Sequence, residues 1–278
     1  MSIMDEGRKR VGTGAVIAVA VYGILFLSGY PFVLNAAAAL LGMAAVFEIL
    51  QAAGMSRKDW LLRICVFGAA CFILLPIPGY SFLLCIIIPL FFFFFLWLMR
   101  HLQHIQLPYQ WQHIILAAGV VMLIKSFPLL GSMEHGLLYL LIAVSTSFLT
   151  DVFAYHAGRK FGRRKLAAIL SPHKTVEGAI GGTLLTVAAM LLLKPLFTLL
   201  SGSDCSAYVY ALYVLVLSIA AQFGDLAMSA IKRVDGVKDF GSLLPGHGGI
   251  LDRFDSHIFV VALFTVLLQV FSGFAVGG

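Results

Sequence analysis

Between Lys232 and Asp255 the chain gathers four basic groups, four carboxylates, one histidine and five glycines within 24 residues. Glycines let backbone N–H groups come close to phosphate oxygens. Lys232, Arg233, Lys238 and Arg253 can neutralise a polyanion. Asp239, Asp252 and Asp255 would repel the same polyanion unless a divalent cation stood between them. Together these residue types describe a site for a metal and a polyphosphate. A merely basic loop would account for the Lys and Arg, but not for His247-Gly248-Gly249 or the acids.

The residues leading into this loop carry the same character. Gln222, Asp225, Ser229 and Lys232 are spaced i, i+3, i+7, i+10, which puts them on one face of a helix. A polar stripe on an apolar helix faces protein or water. It serves either a site or interhelical packing through Gln and Ser. A second polar stretch holds Asp151, Tyr155, Gly158, Arg159 and, further on, Ser171-Pro172-His173-Lys174-Thr175-Val176-Glu177-Gly178. Thr175 suits a helix N-cap, with Glu177 in the first turn. Capping does not require Lys174, and a helix N-terminus is itself an anion site.

The elements that must position these groups are set by composition. Of 278 residues, 61% are hydrophobic and 12% charged, with a mean hydropathy of +0.99. That excludes a soluble globule and a disordered chain, and leaves a bilayer protein. Nine apolar runs are expected at 11–28, 31–53, 60–75, 81–99, 113–130, 136–158, 177–200, 207–231 and 257–276. The first is read as an uncleaved span and not as a signal peptide. Of 19 Lys and Arg, 17 fall in or beside alternate connections. This predicts a cytoplasmic N-terminus and an external C-terminus. Lys125 and Lys194 lie inside apolar runs near their ends, where such side chains can snorkel to the interface, and the sequence assigns them no role. Glu48 is read as a buried structural partner or an interfacial residue. None of the four cysteines forms a CxxC pair, so neither a zinc site nor a disulfide framework is expected. The fold class predicted is all-α, a polytopic integral membrane protein of about nine transmembrane helices. It forms one domain, 1–278, with both polar loops in 150–256.

The pattern Ser229-Ala230-Ile231-Lys232-Arg233-x4-Lys238-Asp239-x-Gly241-x2-Leu244-Pro245-x-His247-Gly248-Gly249-Ile250-x-Asp252-Arg253-Phe254-Asp255 resembles the signature of the phosphatidate cytidylyltransferases, or CDP-diacylglycerol synthases. The segments around Asp151–Arg159 and Ser171–Gly178 also resemble family positions. The first five runs match only in apolar character. The resemblance implies that CTP and phosphatidate give CDP-diacylglycerol and pyrophosphate with Mg2+ or another divalent cation, at the cytoplasmic face of a bacterial-type inner membrane. It implies Asp225 and Asp252 as metal ligands. Lys232, Arg233, Lys238 and Arg253 would balance nucleotide and pyrophosphate charge. His247 would contact phosphate or donate a proton to the leaving group. Lys174, with Ser171 and Thr175, would hold one phosphate, and Gly248 and Gly249 would admit another. Asp151, Glu177, Asp239 and Asp255 are candidates for supporting groups, Asp239 and Asp255 also for a second cation. CTP, phosphatidate and membrane lipid are the expected partners, nucleic acid is not, and a homodimer is left open. The competing readings are a secondary transporter, disfavoured because the polar groups collect at one surface, and another CTP-using lipid enzyme of the prenol or dolichol kinase type. A CDP-alcohol phosphatidyltransferase would need Gly-x3-Asp-x3-Asp, and the spacing between Asp252 and Asp255 is x2.

Overall fold

The computed structural model describes residues 19, 21–27, 31–56, 58–77, 79–80, 83–84, 86, 88, 90, 109–168, 170–202, 204–241 and 248–271. Its elements are α1 (Pro31–Ala52), α2 (Trp60–Leu74), α3 (Tyr109–Ile124), α4 (Ser126–Gly131), α5 (Gly136–Phe161), a hairpin of β1 (Lys165–Ala167) and β2 (Ser171–Thr175), α6 (Val176–Ser201), α7 (Ala207–Val234) and α8 (Leu251–Val270). Helical residues also occur at 21–26. Among the described residues six helices are long and apolar enough to cross a bilayer: Phe32–Ala52, Gln112–Gly131, Gly136–Phe161, Val176–Ser201, Ala207–Arg233 and Leu251–Val270. At 15 residues, α2 is shorter, about 22 Å. The expected runs 11–28 and 81–99 lie largely outside the described residues. The protein is an all-α polytopic membrane protein.

Helix α5 lies along α6, α7 packs on both α6 and α8, and α1 packs on α2 and α3. Small residues bring α5 and α6 together. A Cβ on Gly182 would stand 2.7 Å from the Ala154 Cβ, and one on Gly178 would stand 2.9 Å from the Gly158 Cα. In lipid, where apolar burial offers little drive, such close backbone contact is a main source of helix association. The core between α5, α7 and α8 is filled by Leu140, Leu217, Val261 and Phe264, all fully buried.

The hairpin and its flanks form one end of the bundle. Thr175 caps α6 as expected, accepting from the Gly178 N–H at 3.1 Å. Glu177 reaches back from the first turn and accepts the N–H groups of Arg163 and Arg164 at 2.9 and 3.1 Å. It thereby fastens the chain where it leaves α5. The same end receives the C-terminus of α7, since Arg233 donates to the Leu170 carbonyl.

One expectation is corrected. Helix α8 begins at Leu251, six residues before the expected run at 257, so Asp252, Arg253 and Asp255 lie on helix and not on loop. Carboxylates accept the N–H groups that a helix start leaves without partners: Gly249 donates to Asp252, and Ile250 and Leu251 donate to Glu48. Lys125 does not snorkel. It is 6% exposed and donates to the carbonyls of Phe72 and Leu75 at 2.6 and 2.5 Å, closing the C-terminal end of α2. Lys194 stands about two turns before the end of α6 and reaches Asp204 in the next connection, and this bond holds the Asp204 carboxyl below its ordinary range.

Candidate active site

At the hairpin end, α5, α7 and α8 enclose a cavity of about 630 Å³. Helix α5 contributes Asp151, Tyr155 and His156; α7 contributes Asp225 and Lys232; α8 contributes Asp252, Arg253, Asp255 and His257; and Asp239 closes it from the loop. The wall is apolar where Val21, Tyr22, Val144 and Phe148 line it, with Phe148 49% exposed. One cavity therefore joins a charged lining to an apolar one.

The stripe on α7 is spent on protein contacts and on the cavity, not on lipid. Gln222 donates to the Ala179 carbonyl and to Thr183 on α6. Asp225 pairs with Lys174 from β2 and accepts a longer bond from Ser229 at 3.3 Å. The two paired side chains keep 28% (Lys174) and 26% (Asp225) exposure. Lys232 lies between two carboxylates of α8, 2.9 Å from Asp252 and 3.9 Å from Asp255.

Asp252 is held more tightly than Asp225. Its Oδ1 accepts from Lys232, and its Oδ2 accepts the N–H groups of Phe240 and Gly249 at 3.0 and 2.9 Å. Its side chain is 2% exposed. Asp151 accepts from Ser256 at 3.3 Å, and Ser256 in turn accepts from Ser147 at 3.0 Å. Beneath these lies a buried hydroxyl ladder, Thr150 to Ser218 to Thr183, which fastens α5, α7 and α6 to one another. The ladder was missed in the sequence. Its only signal there is hydroxyls one helical turn apart inside apolar runs, such as Ser147 and Thr150.

Other expected site residues lie off the cavity wall. Arg233 is exposed and braces the loop through the carbonyls of Leu170 and Val237. Lys238 is exposed on the α7–α8 connection. Ser171 stands at the turn end of β2, away from Lys174, and Thr175 is occupied as the α6 cap. Gly248 has φ +80°, where a side chain is strained, and a Cβ there would meet the Asp239 carboxylate at 2.9 Å. The close approach at Gly249 is to Glu48, and its N–H is already donated to Asp252. His247 lies outside the described residues.

Among the described residues no three His, Cys, Asp or Glu side chains converge as a ready-made cation cage. A small hard cation needs less: Mg2+ is commonly held by one or two carboxylates together with substrate phosphates. Asp225 fits that role best, since it faces the cavity with part of its carboxylate open. Asp151 and Asp255 supply the same chemistry nearby. Asp252 has both oxygens engaged. The arrangement can thus receive an anion with Lys174 and Lys232, share a cation through Asp225, and keep apolar chains against Val144 and Phe148.

The sequence model described as the cytidylyltransferase family matches residues 8–271. The phosphatidate cytidylyltransferase of Bacillus subtilis is 45% identical over 140 residues, 50% of this chain and 50% of the relative. That of Staphylococcus aureus is 47% identical over 137 residues, 49% and 50% of the two chains. That of Staphylococcus epidermidis is 45% identical over 135 residues, again 49% and 50%. The chain spans about half the length of the curated relatives it matches. The family match runs from ahead of the first described helical residues, through the cavity and on past the end of α8. The chain belongs to the cytidylyltransferase family.

Proposed function

We propose that the protein is a phosphatidate cytidylyltransferase, transferring the cytidylyl group of CTP to phosphatidate at the cytoplasmic face of a cell membrane. The observation that carries this reading is the single cavity with a charged lining and an apolar lining, because the reaction joins a polyanionic nucleotide to a lipid phosphate. An oxygen of the lipid phosphate monoester attacks the α-phosphorus of CTP. The new P–O bond forms as the bond between the α-phosphorus and its bridging oxygen to the β-phosphorus breaks, and pyrophosphate leaves with that electron pair. The nucleophile has a second pKa near 6 and is largely ionised at neutral pH, so a strong general base is not needed.

Catalysis then rests on positioning and on stabilising charge. Lys174 and Lys232 are proposed to hold phosphate oxygens, exchanging their present carboxylate partners for substrate, with Arg253 at the cavity wall. When bound, a divalent cation such as Mg2+ supplies charge neutralisation between the reacting phosphates. Asp225 and Asp252 are its proposed ligands, Asp225 being the freer of the two. Asp151, Asp239 and Asp255 are proposed to support this centre, and Glu177 to fix the hairpin that carries Lys174.

The cytoplasmic placement is supported by charge. In the described structure Lys58, Arg63, Arg159, Lys160, Arg163, Arg164 and Lys165 sit at or near the hairpin end, while Lys125 and Lys194 serve the other. That is the distribution expected of a cytoplasmic hairpin end. The test is a product assay on purified protein with labelled CTP against phosphatidate, diacylglycerol and a polyprenol. CDP-diacylglycerol should form from phosphatidate only when a divalent cation is present, and ATP should substitute poorly. Label transferred to diacylglycerol or a polyprenol instead would overturn the reading.

A further inference from the structure

Glu48 lies outside the signature-bearing region, one turn before the end of α1, yet it is fully buried against that region. Its Oε1 accepts the Ile250 N–H at 2.8 Å and its Oε2 accepts the Leu251 N–H at 2.9 Å. These are two of the partnerless donors at the start of α8, and the positive end of that helix's dipole complements a carboxylate there. Two glycines make the space. A Cβ on Gly249 would stand 2.4 Å from Oε2, and one on Gly241 would stand 2.7 Å from Oε1. The next residue of the same turn is Asp252, which fixes Lys232 and the Phe240 and Gly249 N–H groups. Glu48 therefore holds the turn that presents Asp252, and through Asp252 the position of Lys232 on α7.

We propose that Glu48 is a positioning residue for the cavity, acting through the first turn of α8 on Asp252 and Lys232. The proposal rests on the reading of the cavity as a cytidylyltransferase site. Glu48 is not among the described residues that line the cavity. Its contribution is to set where the charged groups stand when the reaction occurs, so its loss should reach turnover more than substrate affinity.

The side-chain amide of Gln offers one acceptor oxygen and one donor group to two N–H donors. Glu48→Gln thus keeps at most one of the two bonds, without its charge, and sets the amide NH2 against the other backbone donor. Loss of a hydrogen bond to a charged group is large enough for an effect of about tenfold or more. In full-length protein, kcat should fall by at least about tenfold while KM for CTP stays within about twofold. Amide exchange across residues 249–252, read by mass spectrometry, should rise by a similar factor, and the size-exclusion profile should be unchanged. Folded Glu48→Gln protein with wild-type kcat and wild-type exchange at 249–252 would overturn the proposal. Should Glu48→Gln fail to fold, the glycine contact provides the check. Gly249→Ala crowds the carboxylate, and Glu48→Asp withdraws it by one methylene. The double variant should then recover about tenfold of the turnover that Gly249→Ala loses, and no recovery would overturn the proposal. Wild-type protein that makes no CDP-diacylglycerol overturns the functional reading and the positioning role with it. Active wild type with indifferent Glu48 variants overturns the positioning role alone.

Discussion

Asp225 and Asp252 bring the same charge to one cavity, yet they stand in different surroundings. Asp225 has a lysine partner and part of its carboxylate open, whereas Asp252 is closed in by Lys232 and two backbone donors. Asp225→Asn should therefore lower turnover by roughly 10²-fold while leaving the thermal midpoint near wild type. Asp252→Asn should lower turnover as well, but it also strips charge from a nearly buried pair. A loss of about 3 kcal/mol of stability is expected. A thermal scan in detergent beside the labelled-CTP assay separates the two, and equal melting of both variants would contradict the different surroundings. Lys174→Met removes the partner of Asp225 from a surface hairpin. It should raise KM for CTP or phosphatidate several-fold with the fold retained, as measured by initial rates at varied substrate. Unchanged kinetics would leave Lys174 with only its topological bias.

At the scale of elements, close packing of α5 on α6 sets the distance between the cavity wall and the hairpin. Gly182→Ala would place its Cβ against Ala154 backbone and side chain, 2.7–2.8 Å away. A loss of about 2 kcal/mol is expected for such overpacking, read as a lower thermal midpoint with substrate KM little changed if α5 and α6 re-pack. What was legible in the sequence followed the same scale. The Gln222–Asp225–Ser229–Lys232 stripe could be read because its period lies within one helix, and Thr175 because a cap and its helix are adjacent. The start of α8 was not legible, since Asp-Arg-Phe-Asp reads as a loop until its N–H partners are known. One of those partners, Glu48, is 202 residues from Ile250. The role of Lys125 was not legible for the same reason, its acceptors being 50 and 53 residues away at the C-terminal end of α2. Tertiary partners of this kind leave no periodic trace. The hairpin, with strands of three and five residues, is too short to carry one.

At the scale of the whole molecule, the two ends of the bundle differ in charge, and the proposed topology follows from that. A cysteine at residue 168 should react with impermeant reagent only from the cytoplasm, and one at residue 204 only from outside. Labelling of both from one side would reject the arrangement. The cavity reaches Val144 on α5, which leaves residues 136–143, about 12 Å of helix, between its floor and the far end. That interval is filled by Leu140, Val214, Leu217 and Phe264, each fully buried. The consequence is electrical. A hollow filled with water would be a poor insulator, so a membrane voltage would fall mainly across this thin apolar septum. Moving one charge through the full potential costs about 2.3 kcal/mol per 100 mV. On the proposed reading, a triphosphate bound in the hollow would cross little of that drop, and the septum would keep the hollow from becoming a leak.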